Sequence, residues 1–150
     1  MRRRLRELGI TIGRYAPGRW NAITDVGGVR VGHATLISGD GPVVPGKGPV
    51  RTGVTAVVPS DNIVEDRLIA GAFVLNGAGE VSGVTQLSEW GLLETPILLT
   101  STMSVGKVAD ATVKWLTRRY PQIGREYDVV IPVVGECDDS FMSDAAGRYI

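Results

Sequence analysis

The sequence holds one cysteine, Cys137, and one histidine, His33, among 150 residues. A lone cysteine excludes an internal disulfide and favours a reducing, cytoplasmic setting. Zinc centres draw three or four ligands mainly from Cys and His. This pair, far apart in sequence, argues against a zinc centre. Net charge is also missing: sixteen basic residues cancel sixteen acidic ones. That removes the electrostatic signature of a nucleic-acid or membrane-surface binder. The one local bias is the cluster Arg2, Arg3, Arg4 and Arg6, which reads as a solvated tail. No apolar run reaches the roughly 18 residues that cross a bilayer, and no apolar segment follows the basic start as in a signal peptide.

What is abundant is glycine, at 20 of 150 residues. The glycines punctuate short apolar runs, a pattern of many short elements. Residues 1–20 read as an N-terminal arm, with Pro17-Gly18 as a turn signal. Val29 to Leu36 alternates in polarity like a half-buried strand. It places His33 on the face of Val29 and Val31, as a structural, partnered histidine. Ser38 to Pro49 is a Gly/Pro-rich loop, and Val54 to Val58 a second strand closed by Pro59. Asp61 to Arg67 reads as a polar connection. Ala70 to Leu75 is apolar without a break, the signature of a strand buried on both faces.

Glu80 to Trp90 has moderate helical periodicity, and Thr95 to Thr100 reads as another buried strand. The clearest helix spans Ser104 to Tyr120. Val105, Val108, Ala109, Thr112, Val113 and Leu116 form its apolar stripe, and Pro121 stops it. Val129 to Val134 is the last strand, and its internal Pro132 points to an edge or a bulge. The predicted class is α/β (α+β), a sheet covered by helices. The chain stops at Gly147-Arg148-Tyr149-Ile150 without a closing element, so residues 21–150 are expected to be the N-terminal part of one domain completed by further sequence.

Three local patterns invite chemistry. Gly77-Ala78-Gly79-Glu80-Val81-Ser82-Gly83 sits where a dinucleotide loop would. Its glycine spacing is wrong for one, no acid ends the next strand, and Glu80 would repel phosphate, so a tight strand-to-helix turn is the better reading. Thr102-Met103-Ser104-Val105-Gly106 resembles a nucleophile elbow without its first glycine. No histidine follows Ser104 in the chain, which makes it an N-cap of the long helix instead. Gly135-Glu136-Cys137-Asp138-Asp139 ends the last strand with three carboxylates. These could bind a cation, either a metal or the ammonium of an amino acid or peptide. The competing reading is a solvated acidic turn.

Several stretches, taken in order, carry a more specific signal. They are Asn21-Ala22-Ile23-Thr24-Asp25-Val26, Gly28-Val29-Arg30-Val31-Gly32-His33, and Gly48-Pro49-Val50-Arg51-Thr52-Gly53-Val54-Thr55-Ala56-Val57. They continue with Leu75-Asn76-Gly77-Ala78-Gly79-Glu80, Leu93-Glu94-Thr95-Pro96-Ile97, Ser104-Val105-Gly106, and Pro132-Val133-Val134-Gly135-Glu136. Together they resemble the L-aminopeptidase/D-esterase (DmpA-like) family of β-aminopeptidases, over the first part of a longer family chain.

The resemblance implies an αββα sandwich, of the kind shared with ornithine acetyltransferases and incomplete here. It implies a precursor that cuts itself before a serine. That serine, the first residue of a C-terminal subunit, attacks the substrate carbonyl, and its freed α-amine serves as base. It further implies short peptide, amide or ester substrates, a C-terminal partner subunit, oligomers of such heterodimers, and no metal.

On this reading no catalytic residue lies within the 150, because the nucleophilic serine lies downstream, so the chain by itself should be inactive. The family glutamate that grips the substrate ammonium falls on Glu136. Asp138 stands where some members carry a tyrosine and is a second candidate for substrate binding; an ionised Asp cannot donate as that tyrosine does. Asn76, Gly77, Gly79 and Glu80 match a family motif read as backbone geometry near the site. Asn21 and Asp25 read as structural hydrogen-bonding residues. An acyltransferase of the ornithine acetyltransferase type, with threonine as nucleophile, and a non-catalytic assembly partner are the alternatives.

Overall fold

In a computed structural model the chain is described for residues 3–150, so Arg2 of the basic cluster lies outside the described residues. The arm holds a short 3-10 turn, Leu5–Leu8, and is tied down where the Arg4 guanidinium donates to the Trp20 carbonyl at 2.8 Å. Asp25 then accepts from the Trp20 N–H at 2.8 Å and the Ala22 N–H at 3.1 Å. These bonds, the Trp20 one foremost, hold its carboxyl below the usual carboxylate range. The structural role expected of Asp25 is therefore met.

Strands β1 (Arg30–Ser38) and β2 (Val50–Val58) pair antiparallel from Arg30 opposite Val58 to Ser38 opposite Val50. Both are rich in β-branched residues, which suit a pleated surface. Close approach of the pair needs Gly53, where a Cβ would stand 2.4 Å from the Ala34 carbonyl oxygen. His33 lies opposite Thr55 and bonds its hydroxyl through Nδ1 at 2.8 Å, so it is partnered as expected, although exposed. β5 (Ile97–Thr100) continues the sheet antiparallel to β2, and β6 (Val133–Glu136) pairs parallel to β5, giving the order β1-β2-β5-β6.

The 15-residue helix α3 (Val105–Arg119) connects β5 to β6 and packs against both. Its buried positions are Val105, Val108, Thr112 and Leu116, four of the six in the expected stripe. Pro132 precedes β6 rather than interrupting it, and residues 129–131 are outside the strand. Proline has no N–H to give the ladder, so pairing begins only at Val133.

Two expectations need correction. Asp61 to Arg67 is not merely a polar connection: it contains the one-turn helix α1 (Ile63–Asp66), whose Ile63 and Val64 are buried against Leu93, Leu116 and Tyr120. Two apolar residues are too few to show a period, and only the tertiary contact reveals them. Ala70 to Leu75 is not a buried strand. Among the described residues only Leu68–Ile69 (β3) pairs there, with Leu92–Leu93 (β4), and Phe73 and Leu75 are 87% and 85% exposed.

Helix α2 (Val84–Trp90) starts four residues later than the periodicity suggests. Gly83 caps it at φ +78°, and residues 80–82 are engaged elsewhere. Among the described residues no helix is long and apolar enough to cross a membrane.

Candidate functional site

β5 and β6 run parallel and end side by side, Thr100 opposite Glu136. The carboxyl ends of neighbouring parallel strands are where α/β sheets gather ligands. Glu136 is fixed there from both sides. The Cys137 N–H donates to the Thr100 carbonyl at 2.8 Å, and the Glu136 N–H donates to the Glu80 carbonyl at 2.9 Å.

The second bond belongs to a short antiparallel run along the outer edge of β6. The Ser82 N–H meets the Val134 carbonyl at 2.9 Å, and Val81 bridges Gly135. The Ser82 hydroxyl donates to the Pro132 carbonyl at 2.9 Å and accepts from the Val134 N–H at 3.1 Å. An edge strand with open N–H and C=O groups invites pairing, and here the chain's own loop supplies it.

That run carries the glycine motif to the acid. A Cβ on Gly79 would stand 3.7 Å from Glu136 Oε1, in ordinary contact. Asn76 turns the motif, accepting the Ala78 N–H on its Oδ1 at 3.0 Å. Glu80 contributes its backbone carbonyl to Glu136 and has an exposed side chain. Asn76, Gly79 and Glu80 line, with Phe73, Val74 and Val84, an open cleft of about 500 Å³. The motif is joined to β6 through the backbone of Glu80, Val81 and Ser82, and it forms a bend leading into an edge pairing rather than a strand-to-helix turn. Gly77 lies in the same bend, with open space where a Cβ would be.

The Glu136 side chain has one more partner, the Thr102 hydroxyl, which donates to its Oε2. Thr102 opens a 3-10 turn, Thr102–Ser104, between β5 and α3. Ser104 does occupy the N-cap position of α3, but its side chain makes no capping bond and the residue is buried.

Asp138 is exposed and accepts the Ser140 N–H at 2.9 Å. The Ser140 side chain and backbone bonds lower its pKa from the ordinary value. Asp139 and Cys137 instead line a groove of about 350 Å³ with His33, Arg51, Thr55 and Thr100. Among the described residues no three His, Cys, Asp or Glu side chains are grouped to hold a metal ion.

One buried acid escaped the sequence reading. Asp144, 2% exposed, accepts the Gly48 N–H at 3.2 Å and the Tyr149 hydroxyl at 3.0 Å, and its own N–H donates to the Pro49 carbonyl at 2.9 Å. It pins the C-terminal tail to the turn before β2. No local pattern announces a bond across 96 positions.

With this geometry in hand, comparison with known proteins is informative. Over 145 residues the chain is 43% identical to the β-peptidyl aminopeptidase BapA of Sphingosinicella xenopeptidilytica, covering 97% of this chain and 36% of that protein. The chain therefore spans little more than a third of that relative's length. A crystal structure of a Pyrococcus horikoshii OT3 protein superposes with a TM-score of 0.90 at 49% identity, over 97% of this chain and 41% of the other. The L-aminopeptidase D-Ala-esterase/amidase of Ochrobactrum anthropi, a variant of the Ntn-hydrolase fold, superposes with a TM-score of 0.81 at 31% identity, over 98% and 41%. The mixed α/β sheet described above is thus part of that fold, as the expected incomplete αββα sandwich requires. The model of Peptidase family S58 matches residues 21–150, and the chain belongs to that family.

Proposed function

We propose that this chain supplies the substrate-holding, amino-terminal part of an aminopeptidase whose nucleophilic serine lies in sequence following Ile150. The observation that carries the reading is Glu136, a carboxylate fixed at the end of β6 with Oε2 bonded to Thr102 and Oε1 on the side of a glycine. A carboxylate oxygen so placed accepts a charge-assisted hydrogen bond from a substrate's free ammonium. The anchored N-terminus then sets the scissile carbonyl at a fixed distance from the site.

The serine hydroxyl attacks that carbonyl, and its own α-amine, freed by self-cleavage of the precursor, takes the proton. The α-ammonium so formed passes the proton to the departing amine, alcohol or shortened peptide as the C–N or C–O bond breaks, and water then releases the amino acid from the acyl-enzyme. Family membership supports this course. The name of the Sphingosinicella relative adds N-terminal β-amino acids to the substrates to be tried. The working enzyme is proposed to be a cytoplasmic oligomer of heterodimers, and Asp138 a second carboxylate near the substrate.

The test is release of p-nitroaniline from alanine p-nitroanilide by the 150-residue chain alone and mixed with the missing C-terminal part. Activity confined to the mixture is expected. Activity in the chain alone would overturn the reading and make Ser104 the first suspect. In the complete enzyme, Glu136→Gln should reduce kcat/KM for free-amine substrates about 10- to 100-fold, the scale of a lost charge-assisted bond. It should also erase the preference over N-blocked ones.

A further inference from the structure

The mechanism uses one oxygen of Glu136, and the structure shows what holds the other. A glutamate side chain has three rotatable bonds and, unrestrained at a strand end, samples several rotamers, each a cost to be met on binding. The Thr102 hydroxyl carries a single proton to donate, and it gives that proton to Oε2.

Thr102 is itself well placed to do so. It follows Thr100 and Ser101, both buried at the end of β5. The Ser104 N–H closes the turn onto the Ser101 carbonyl at 2.9 Å, and α3 begins at the next residue. The donor therefore stands on a turn clamped between a strand and the longest helix. The backbone of the acceptor is clamped by Thr100 on one side and Glu80 on the other. Oε1 is left toward Gly79, where no side chain intervenes.

We infer that Thr102 is a positioning residue: its hydroxyl holds the Glu136 carboxylate in the one rotamer that presents Oε1 to the substrate ammonium. The inference rests on the reading of Glu136 as the ammonium acceptor. A preorganised acceptor raises affinity for the free amine, while the substrate once bound is still anchored on Glu136, so the effect belongs mainly in KM.

The experiment uses the complete, self-processed enzyme and alanine p-nitroanilide. The variants are Thr102→Val, which keeps the shape and removes the hydroxyl, Thr102→Ser, Glu136→Gln, and the Thr102→Val/Glu136→Gln double variant. Thr102→Val should raise KM about 5- to 20-fold, less than losing the charge-assisted bond that it supports, with kcat within about twofold. Thr102→Ser should restore KM. In the Glu136→Gln background Thr102→Val should add nothing, because the group it positions has lost its charge.

If Glu136→Gln raises KM while Thr102→Val leaves it at the wild-type value, the positioning role is wrong and the Glu136 reading stands. If the Thr102→Val defect persists unchanged in the Glu136→Gln background, or Thr102→Ser fails to rescue, Thr102 acts on structure elsewhere and the inference falls. If Glu136→Gln leaves both KM and the free-amine preference unchanged, the underlying reading of Glu136 fails first.

Discussion

A Cβ on Gly83 would lie 2.9 Å from the Pro132 carbonyl oxygen, closer than real Cβ atoms come to backbone. Gly83 also sits at φ +78°, where only glycine is at ease. It is thus the point at which the loop carrying Gly79 and Glu80 can lie flat against β6. Gly83→Ala should destabilise the chain by about 1–3 kcal/mol, the sum of left-handed strain and a clash with backbone that has little room to yield. Urea unfolding measures this directly. A change under about 0.5 kcal/mol would mean that the loop is not seated on β6 as described. In the complete enzyme the same variant should reduce free-amine selectivity, because it moves the groups that frame Glu136.

The segment Ala70 to Leu75 yields a second expectation. Its Phe73, Val74 and Leu75 are exposed, at 87%, 63% and 85%, and the preceding Ile69 is 93% exposed. Contiguous exposed apolar side chains are a ready template for association. The 150-residue chain should therefore self-associate as its concentration rises. The pair Phe73→Asp and Leu75→Lys should suppress this without lowering the melting temperature, since neither side chain belongs to the two buried clusters. Light scattering against concentration decides it. Equal association in the variant would move the sticky surface elsewhere, with the exposed Ile12 and Tyr15 of the arm next to be tried.

How far the sequence could be read follows from the range of the forces involved. β1 and α3 were legible because each shows its own period over enough residues to separate strand from helix, and β2 and β5 because each is a short apolar run of strand-forming residues. α3 is the clearest case, since its buried side recurs at 105, 108, 112 and 116. Ala70 to Leu75 misled because an apolar run reports a demand for burial without showing what meets it. Ile63 and Val64 were missed for the opposite reason, since a two-residue contact has no period at all.

Glu136 stood out as an acid at a strand end. Its partners did not, because Thr102 and Glu80 reach it only after β5, β6 and the edge loop are in place. The glycine motif was recognisable as backbone geometry, but its destination against β6 depends on Gly83, whose contact with Pro132 is wholly tertiary.

Asp144 gives the last expectation, and its sign can be worked out from the groups around it. Burial acts to raise its pKa. The bonds from the Gly46 N–H, the Tyr149 hydroxyl and the N–H groups of Gly48 and Gly147 outweigh it, so the net shift is downward from the ordinary 3.8. The same contact raises the pKa of Tyr149, whose hydroxyl would lose its acceptor's favour on ionising.

A depressed folded-state pKa stabilises the native chain above the unfolded value, and that contribution is lost as pH falls through the folded value. Stability should therefore be flat around neutrality and decline below about pH 4. Asp144→Asn keeps an acceptor oxygen but loses the charge. It should melt lower than wild type at pH 7, and the gap should narrow by pH 3, below the ordinary carboxyl value of 3.8, as the wild type begins to lose the contribution of its charge. Melting curves of both proteins at the two pH values make the test. A gap that stays constant between them would show that Asp144 acts through shape alone and that its charge contributes nothing to holding the tail against the turn before β2.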